Sequence, residues 1–132
     1  MLTVKNEFLK KMIAHSRKEF PNEVCGIMAG KNGKVIKVYE MNNIDASPFT
    51  FFMDPKEQFK VMKEIRGLEM EMIGIYHSHV ASQAYPSSHD VELAFYPNVL
   101  CTIISLQDTK NPVIKSFKIY EGKIKEEEVS IE

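Results

Sequence analysis

Two histidines two positions apart, His77 and His79, follow the apolar run Met72-Ile73-Gly74-Ile75, and Asp90 comes eleven residues after the second. Such a run reads as a buried strand. Side chains alternate between the two faces of a strand, so His77 and His79 leave its end on the same side and two imidazoles face one point. Two histidine nitrogens and a carboxylate oxygen, with a fourth position left to water, are the donor set of a catalytic zinc site rather than a closed structural one. Asp90 can supply the carboxylate after the chain reverses through the polar, Pro86-containing stretch between them.

The full spacing is His-x-His, seven residues, Ser87, two residues, Asp90. This spacing resembles the signature of the JAMM (MPN+) metallopeptidases. That family's pattern also carries a glutamate far upstream, on the strand after the first helix, and Glu23 in Pro21-Asn22-Glu23-Val24-Cys25-Gly26 stands in that place. The resemblance implies an α/β fold, a mixed β-sheet flanked by helices in the JAMM/MPN (cytidine-deaminase-like) arrangement, with Zn2+ held by His77, His79 and Asp90. It also implies that Glu23 is the general base and acid, and that Ser87 donates a hydrogen bond to the oxyanion. Val80 stands where the family commonly has proline. The segments after Asp90 and around Phe49–Met53 are short where the eukaryotic deubiquitinases carry insertions. The compact form is similar to prokaryotic members that process ubiquitin-like sulfur carriers. The resemblance therefore implies cleavage of a peptide or isopeptide bond after the C-terminal Gly-Gly of such a protein, whose tail is the expected partner. Two other readings stand beside it: a zinc-dependent hydrolase of another small peptide or amide, and an MPN interaction scaffold without activity.

A chain of 132 residues is expected to form one domain, residues 1–132, around a single core. Seventeen basic and eighteen acidic residues leave a net charge of -1, with no broad basic field for nucleic acid. No run reaches membrane-spanning length and the first residues lack a basic segment leading into an apolar one, so a cytoplasmic protein is expected. Oligomeric state has no signal in the sequence. Cys25 and Cys101 form no Cys-x-x-Cys pair and read as small buried hydrophobes, or as neighbours of the metal cleft.

Along the chain, Val4 to Phe20 carries apolar residues at three- and four-residue intervals and predicts an amphipathic helix, with His15 at its surface or boundary. Glu23–Ala29 and Lys34–Met41, joined by Gly30-Lys31-Asn32-Gly33, predict a hairpin. Phe49–Met53 reads as a short aromatic strand, mostly core, that could also pair with an extended peptide tail. Asp54-Pro55 predicts a helix start, its stripe being Phe59, Met62, Ile65 and Leu68. After the histidine strand come a short helix from Val91 to Tyr96, a central strand Val99–Leu106, a half-exposed strand Val113–Tyr120 and an edge strand Ile124–Ile131. Ser78 is expected to bond backbone, Ser88 is a candidate cap for the short helix, and His89 is expected outside the ligand set.

Overall fold

The computed structural model describes residues 1–94 and 96–132. In order, the elements are β1 (Leu2–Val4), α1 (Asn6–Lys18), β2 (Cys25–Lys31), β3 (Lys34–Met41), α2 (Pro55–Gly67), β4 (Glu71–His79), α3 (Ser88–Glu92), β5 (Leu100–Ser105), β6 (Val113–Tyr120), β7 (Lys123–Glu127) and β8 (Val129–Ile131). The strands form one mixed sheet in the order β7-β6-β5-β4-β2-β3-β1-β8. The pairs β4–β5, β1–β3 and β1–β8 are parallel, and the remaining pairs are antiparallel. This is the expected α/β class.

Local chemistry explains the elements that follow the sequence pattern. Asn32 and Gly33 both take positive φ, 53° and 77°, which lets a two-residue turn match the twist of the β2–β3 hairpin. Asp54 caps α2 by accepting from the Lys56 N–H at 3.0 Å, and Pro55 occupies the first helical position, where its missing N–H costs nothing.

The sheet sorts the core onto two faces. On one, Met12, Phe8, Leu9 and Ile13 of α1 pack against Val24, Met28, Val38, Tyr76 and Ile104. On the other, Ile65 and Val61 of α2 pack against Cys25, Ile27, Ala29 and Met41. Further along that second face, Val91 and Ala94 pack near Ile103 and Phe117. Odd-numbered residues of β2 and β4 near the site face α2 and α3, and even-numbered ones face α1. Each apolar side chain removed from water this way contributes about 1.5–3 kcal/mol.

Several expectations are corrected. The first helix does not start at Val4: Leu2–Val4 is a strand held between β3 and β8, a partnership that local periodicity cannot register. The last strand is two. β7 and β8 lie at opposite edges of the sheet with only Glu128 between them, so the sheet curls until its edges meet, and the Glu128 carbonyl accepts from Leu2 N–H at 2.8 Å. Phe49–Met53 is a loop with one isolated bridge, Asn43 to Met53, and Phe49 is 80% exposed rather than core. Phe59 and Leu68 of the predicted α2 stripe are exposed; the buried stripe runs through Val61 and Ile65. α3 begins at Ser88, three residues earlier than expected, because Ser87 supplies the cap. Of that predicted helix, Phe95 lies outside the described residues.

Candidate metal centre

The last three residues of β4 carry the alternation that the site depends on. His77 and His79 point to the α2/α3 face, while Tyr76 and Ser78 point to the α1 face. Ser78 ties strand β4 to the segment before β2. Its Oγ accepts from Val24 N–H at 2.9 Å and its own N–H donates to the Val24 carbonyl at 3.1 Å. Glu23, one residue earlier, is thereby fixed within electrostatic reach of His79.

Asp90 arrives from the third position of α3. Ser87 Oγ accepts from Asp90 N–H at 3.1 Å, and the Ser87 N–H donates to Asp90 Oδ2 at 2.9 Å, a reciprocal capping box. The result is a nearly equilateral triangle of donor atoms. His77 Nε2 and His79 Nε2 are 3.1 Å apart, and Asp90 Oδ2 lies 3.2 Å and 3.1 Å from them. Zinc ligands at about 2.0–2.1 Å in a tetrahedron stand roughly 3.3 Å from one another, so the three atoms already have the spacing of three tetrahedral corners. Among the described residues, this is the one cluster of three or more such groups converging on a point.

The surroundings orient the histidine rings and set the charges of the cluster. His79 Nδ1–H donates to the Gln83 carbonyl at 2.9 Å, which leaves the Nε2 lone pair for a ligand bond and holds the ring. His77 is fully enclosed, and Phe51 stacks on it with centroids 4.7 Å apart. Burial pushes the His77 imidazolium down, outweighing Asp90. Burial also opposes the charged form of His79, but its bonds to Asp90 and Gln83 carry its pKa up. Burial opposes ionisation of Asp90 as well, yet the two histidines and the Ser87 N–H hold it well below the usual carboxylate range. Glu23 is 5% exposed; burial pushes its carboxyl up to about 8, His79 pulls it back, and Asp90 adds to the rise. A carboxyl titrating near neutrality is suited to taking and returning a proton.

The sequence-predicted residues thus divide as follows. His77, His79 and Asp90 converge. Glu23 is buried within electrostatic reach of His79 and Asp90. Ser87 is exposed at the head of α3, and its Oγ is an acceptor in the cap, so its hydroxyl proton remains for a further acceptor. Ser88 follows the cap and is not it. His89 is half-buried outside the triangle. Cys25 is buried opposite His77 in the ladder, and Cys101 borders the apolar cleft beside His77 and Asp90. Burial pushes both thiols up to about 12, so neither offers a thiolate.

Three residues have roles at the site that the sequence reasoning did not assign. Phe51 covers His77, and Gln83 orients His79 through a backbone carbonyl, which has no side-chain signature. Asn43 is the third: its Nδ2 donates to the Glu23 and Thr50 carbonyls, both at 3.0 Å, and its Oδ1 accepts from Asp45 and Phe52 N–H at 3.0 and 2.9 Å. One side chain therefore ties Glu23 to the loop that carries Phe51.

With this geometry established, comparison with known proteins is decisive. The family described as prokaryotic homologs of the JAB domain matches residues 5–120. The chain belongs to that family. A CysO-cysteine peptidase of Mycobacterium tuberculosis is 33% identical over 133 residues, spanning 99% of this chain and 91% of the relative. A Desulfitobacterium hafniense protein solved in solution is 40% identical with a TM-score of 0.90, over 100% of this chain and 93% of that one. The JAB1/MPN domain protein of Archaeoglobus fulgidus shares the fold, with a TM-score of 0.65 at 17% identity over 98% of this chain and 96% of its own. The JAB/MPN sheet-and-helix arrangement expected from the motif is therefore the fold of this chain.

Proposed function

We propose that this protein is a zinc-dependent metallopeptidase that hydrolyses the amide bond joining the C-terminal Gly-Gly of a ubiquitin-like or sulfur-carrier protein to an amine. The convergence of His77 Nε2, His79 Nε2 and Asp90 Oδ2 at 3.1–3.2 Å beside a buried Glu23 carries the reading. Family membership and the activity named for the mycobacterial relative support it. We read residues 1–132 as one catalytic domain, supported by three core clusters that share one sheet. Action in the cytoplasm fits two cysteines that are both free.

His77, His79 and Asp90 would hold the zinc, which when bound supplies a Lewis acid and lowers the pKa of its water to about 7. The protein's own groups manage the rest. Glu23 takes a proton from the attacking water and returns it to the leaving nitrogen, so the amide becomes a carboxylate and an amine. Ser87 donates its hydroxyl proton to the oxyanion that develops on the attacked carbonyl; one such donor is typically worth about 10²–10³ in turnover. The Phe51 ring closes one side of His77 against water.

The test is cleavage of a ubiquitin-like protein extended after Gly-Gly by cysteine, by a short peptide, or through a lysine side chain. Release of the intact carrier from at least one substrate, abolished by a chelator and restored by zinc, is the expected result. Zinc-loaded protein that leaves all three intact would overturn the substrate assignment.

A further inference from the structure

On the α1 face of the sheet, Tyr76, Gly26 and Glu40 stand in one row across β4, β2 and β3. His15 of α1 lies over this row and, contrary to the surface or boundary position expected from the sequence, is only 7% exposed. Its Nδ1 is 2.8 Å from the Tyr76 hydroxyl, and the rings meet edge-on. Tyr76 is fully buried, and His15 Nδ1 is the hydrogen-bond partner of its hydroxyl among the described residues, so the phenol donates its proton to Nδ1. Burial also pushes the imidazolium of His15 down, against Glu40 and Glu19, so the ring is neutral and carries its own proton on Nε2.

That N–H has no hydrogen-bond acceptor among the described residues. Glu40 Oε1 stands 3.9 Å away, too far for a hydrogen bond. The Glu23 carboxylate is likewise without a hydrogen-bond donor among them, although nine-tenths of the residue is buried. Both side chains line one polar cavity of about 140 Å³, together with Glu19, Asn22 and Asn43. Both groups border this cavity, and a polar cavity of this size accommodates several waters that can partner them.

We infer that ordered water in this cavity bridges the His15 Nε2–H to the Glu23 carboxylate, which makes His15 a positioning residue for the group that handles the reaction's proton. The inference rests on the function proposed above for Glu23. It assigns the Tyr76 hydroxyl an indirect part: by donating to Nδ1 it fixes the tautomer that aims a donor at the cavity. Bridging water holds two groups nearly as well as a direct bond while leaving the carboxylate free to change charge.

The experiment joins a high-resolution crystal structure of the zinc-loaded protein to kinetics and infrared spectroscopy of variants. Water density within hydrogen-bond distance of both His15 Nε2 and Glu23 is expected. His15→Phe keeps the ring's shape and should lower kcat about tenfold, with KM and zinc content within about twofold of wild type, as for loss of orientation rather than binding. The carboxylate band assigned to Glu23 by its absence in Glu23→Gln should shift in His15→Phe, and Glu40→Gln should leave both kcat and band unchanged. If His15→Phe does not fold, Tyr76→Phe, which frees the tautomer, and Asn22→Leu, which fills the cavity, should each shift the band and lower kcat. An unmoved Glu23 band in folded, zinc-loaded variants, or a dry cavity, overturns the inference. A wild type that cleaves none of the carrier substrates refutes the proposed function instead, while density and band still decide this point.

Discussion

Replacing Asn43 by Ala separates the two halves of the site. The proposed metal ligands sit on β4 and α3, whereas Glu23 and Phe51 are held through Asn43. The substitution removes four hydrogen bonds, two of them at part-buried carbonyls and two at exposed N–H groups that water can satisfy. At a net value near 1 kcal/mol for each part-buried bond and less for the others, the loss is about 2–3 kcal/mol. For a chain of this size that lowers Tm by roughly 6–12 °C. The local consequence is larger than the global one, because the Glu23 segment loses an anchor on its carbonyl and the 43–53 loop loses its register. A displacement of about 1 Å at a catalytic group can cost on the order of 10²-fold in rate. Zinc affinity measured by chelator competition should stay within about threefold of wild type, because the ligands' own hydrogen bonds, to Gln83 and Ser87, are untouched. Cleavage should fall at least tenfold in kcat, assayed at a temperature where the variant is folded. Wild-type turnover with the expected Tm loss would refute the claim that Asn43 positions the base. Loss of zinc with turnover per bound zinc unchanged would refute the separation.

Further outcomes follow from the same geometry. A Cβ on Gly26 would lie 2.0 Å from Tyr76 Cε2, so Gly26→Ala should displace the ring and its His15 bond and cost about 2–5 kcal/mol in urea unfolding; a loss under about 1 kcal/mol would contradict the packing. Glu23 has a folded pKa raised to about 8, so its contribution to stability is full below its unfolded value and is lost as pH rises through about 8. In zinc-free protein the stability difference between wild type and Glu23→Gln should therefore fall by a few kcal/mol from about pH 5 to pH 9, and a flat difference would count against a buried carboxyl. Zinc at about 100 times its Kd should stabilise the wild type by about 2.7 kcal/mol, seen as a rise in Tm, and Asp90→Asn should lose most of that rise.

The site was more legible in the sequence than the frame around it. His77, His79 and Asp90 could be brought together because strand alternation and a reversing loop are local properties; the capping box of Ser87 and Asp90 is equally local, although the sequence reading gives Ser87 an oxyanion role and offers Ser88 as a cap. Asp54-Pro55 marked α2 for the same reason. What depended on distant partners was missed. Val4 reads as the start of a helix until β8, more than a hundred residues away, is seen to pair with Leu2–Val4. Ile124–Ile131 reads as one strand because a one-residue break at Glu128 leaves the alternation almost intact. His15 resembles a wet helical residue, and only the glycine at position 26 makes room for the Tyr76 ring that meets it. Phe49–Met53 has strand-forming residues, yet Asn43 consumes the backbone groups a strand would need at Phe52 and Thr50.

The central claim is tested most directly by measuring zinc content and carrier-protein cleavage on the same samples of wild type, Glu23→Gln and His77→Ala. About one zinc per chain in wild type and Glu23→Gln, little in His77→Ala, and cleavage by the wild type alone is the predicted result. Zinc retained by His77→Ala, or wild-type cleavage by Glu23→Gln, would contradict the account.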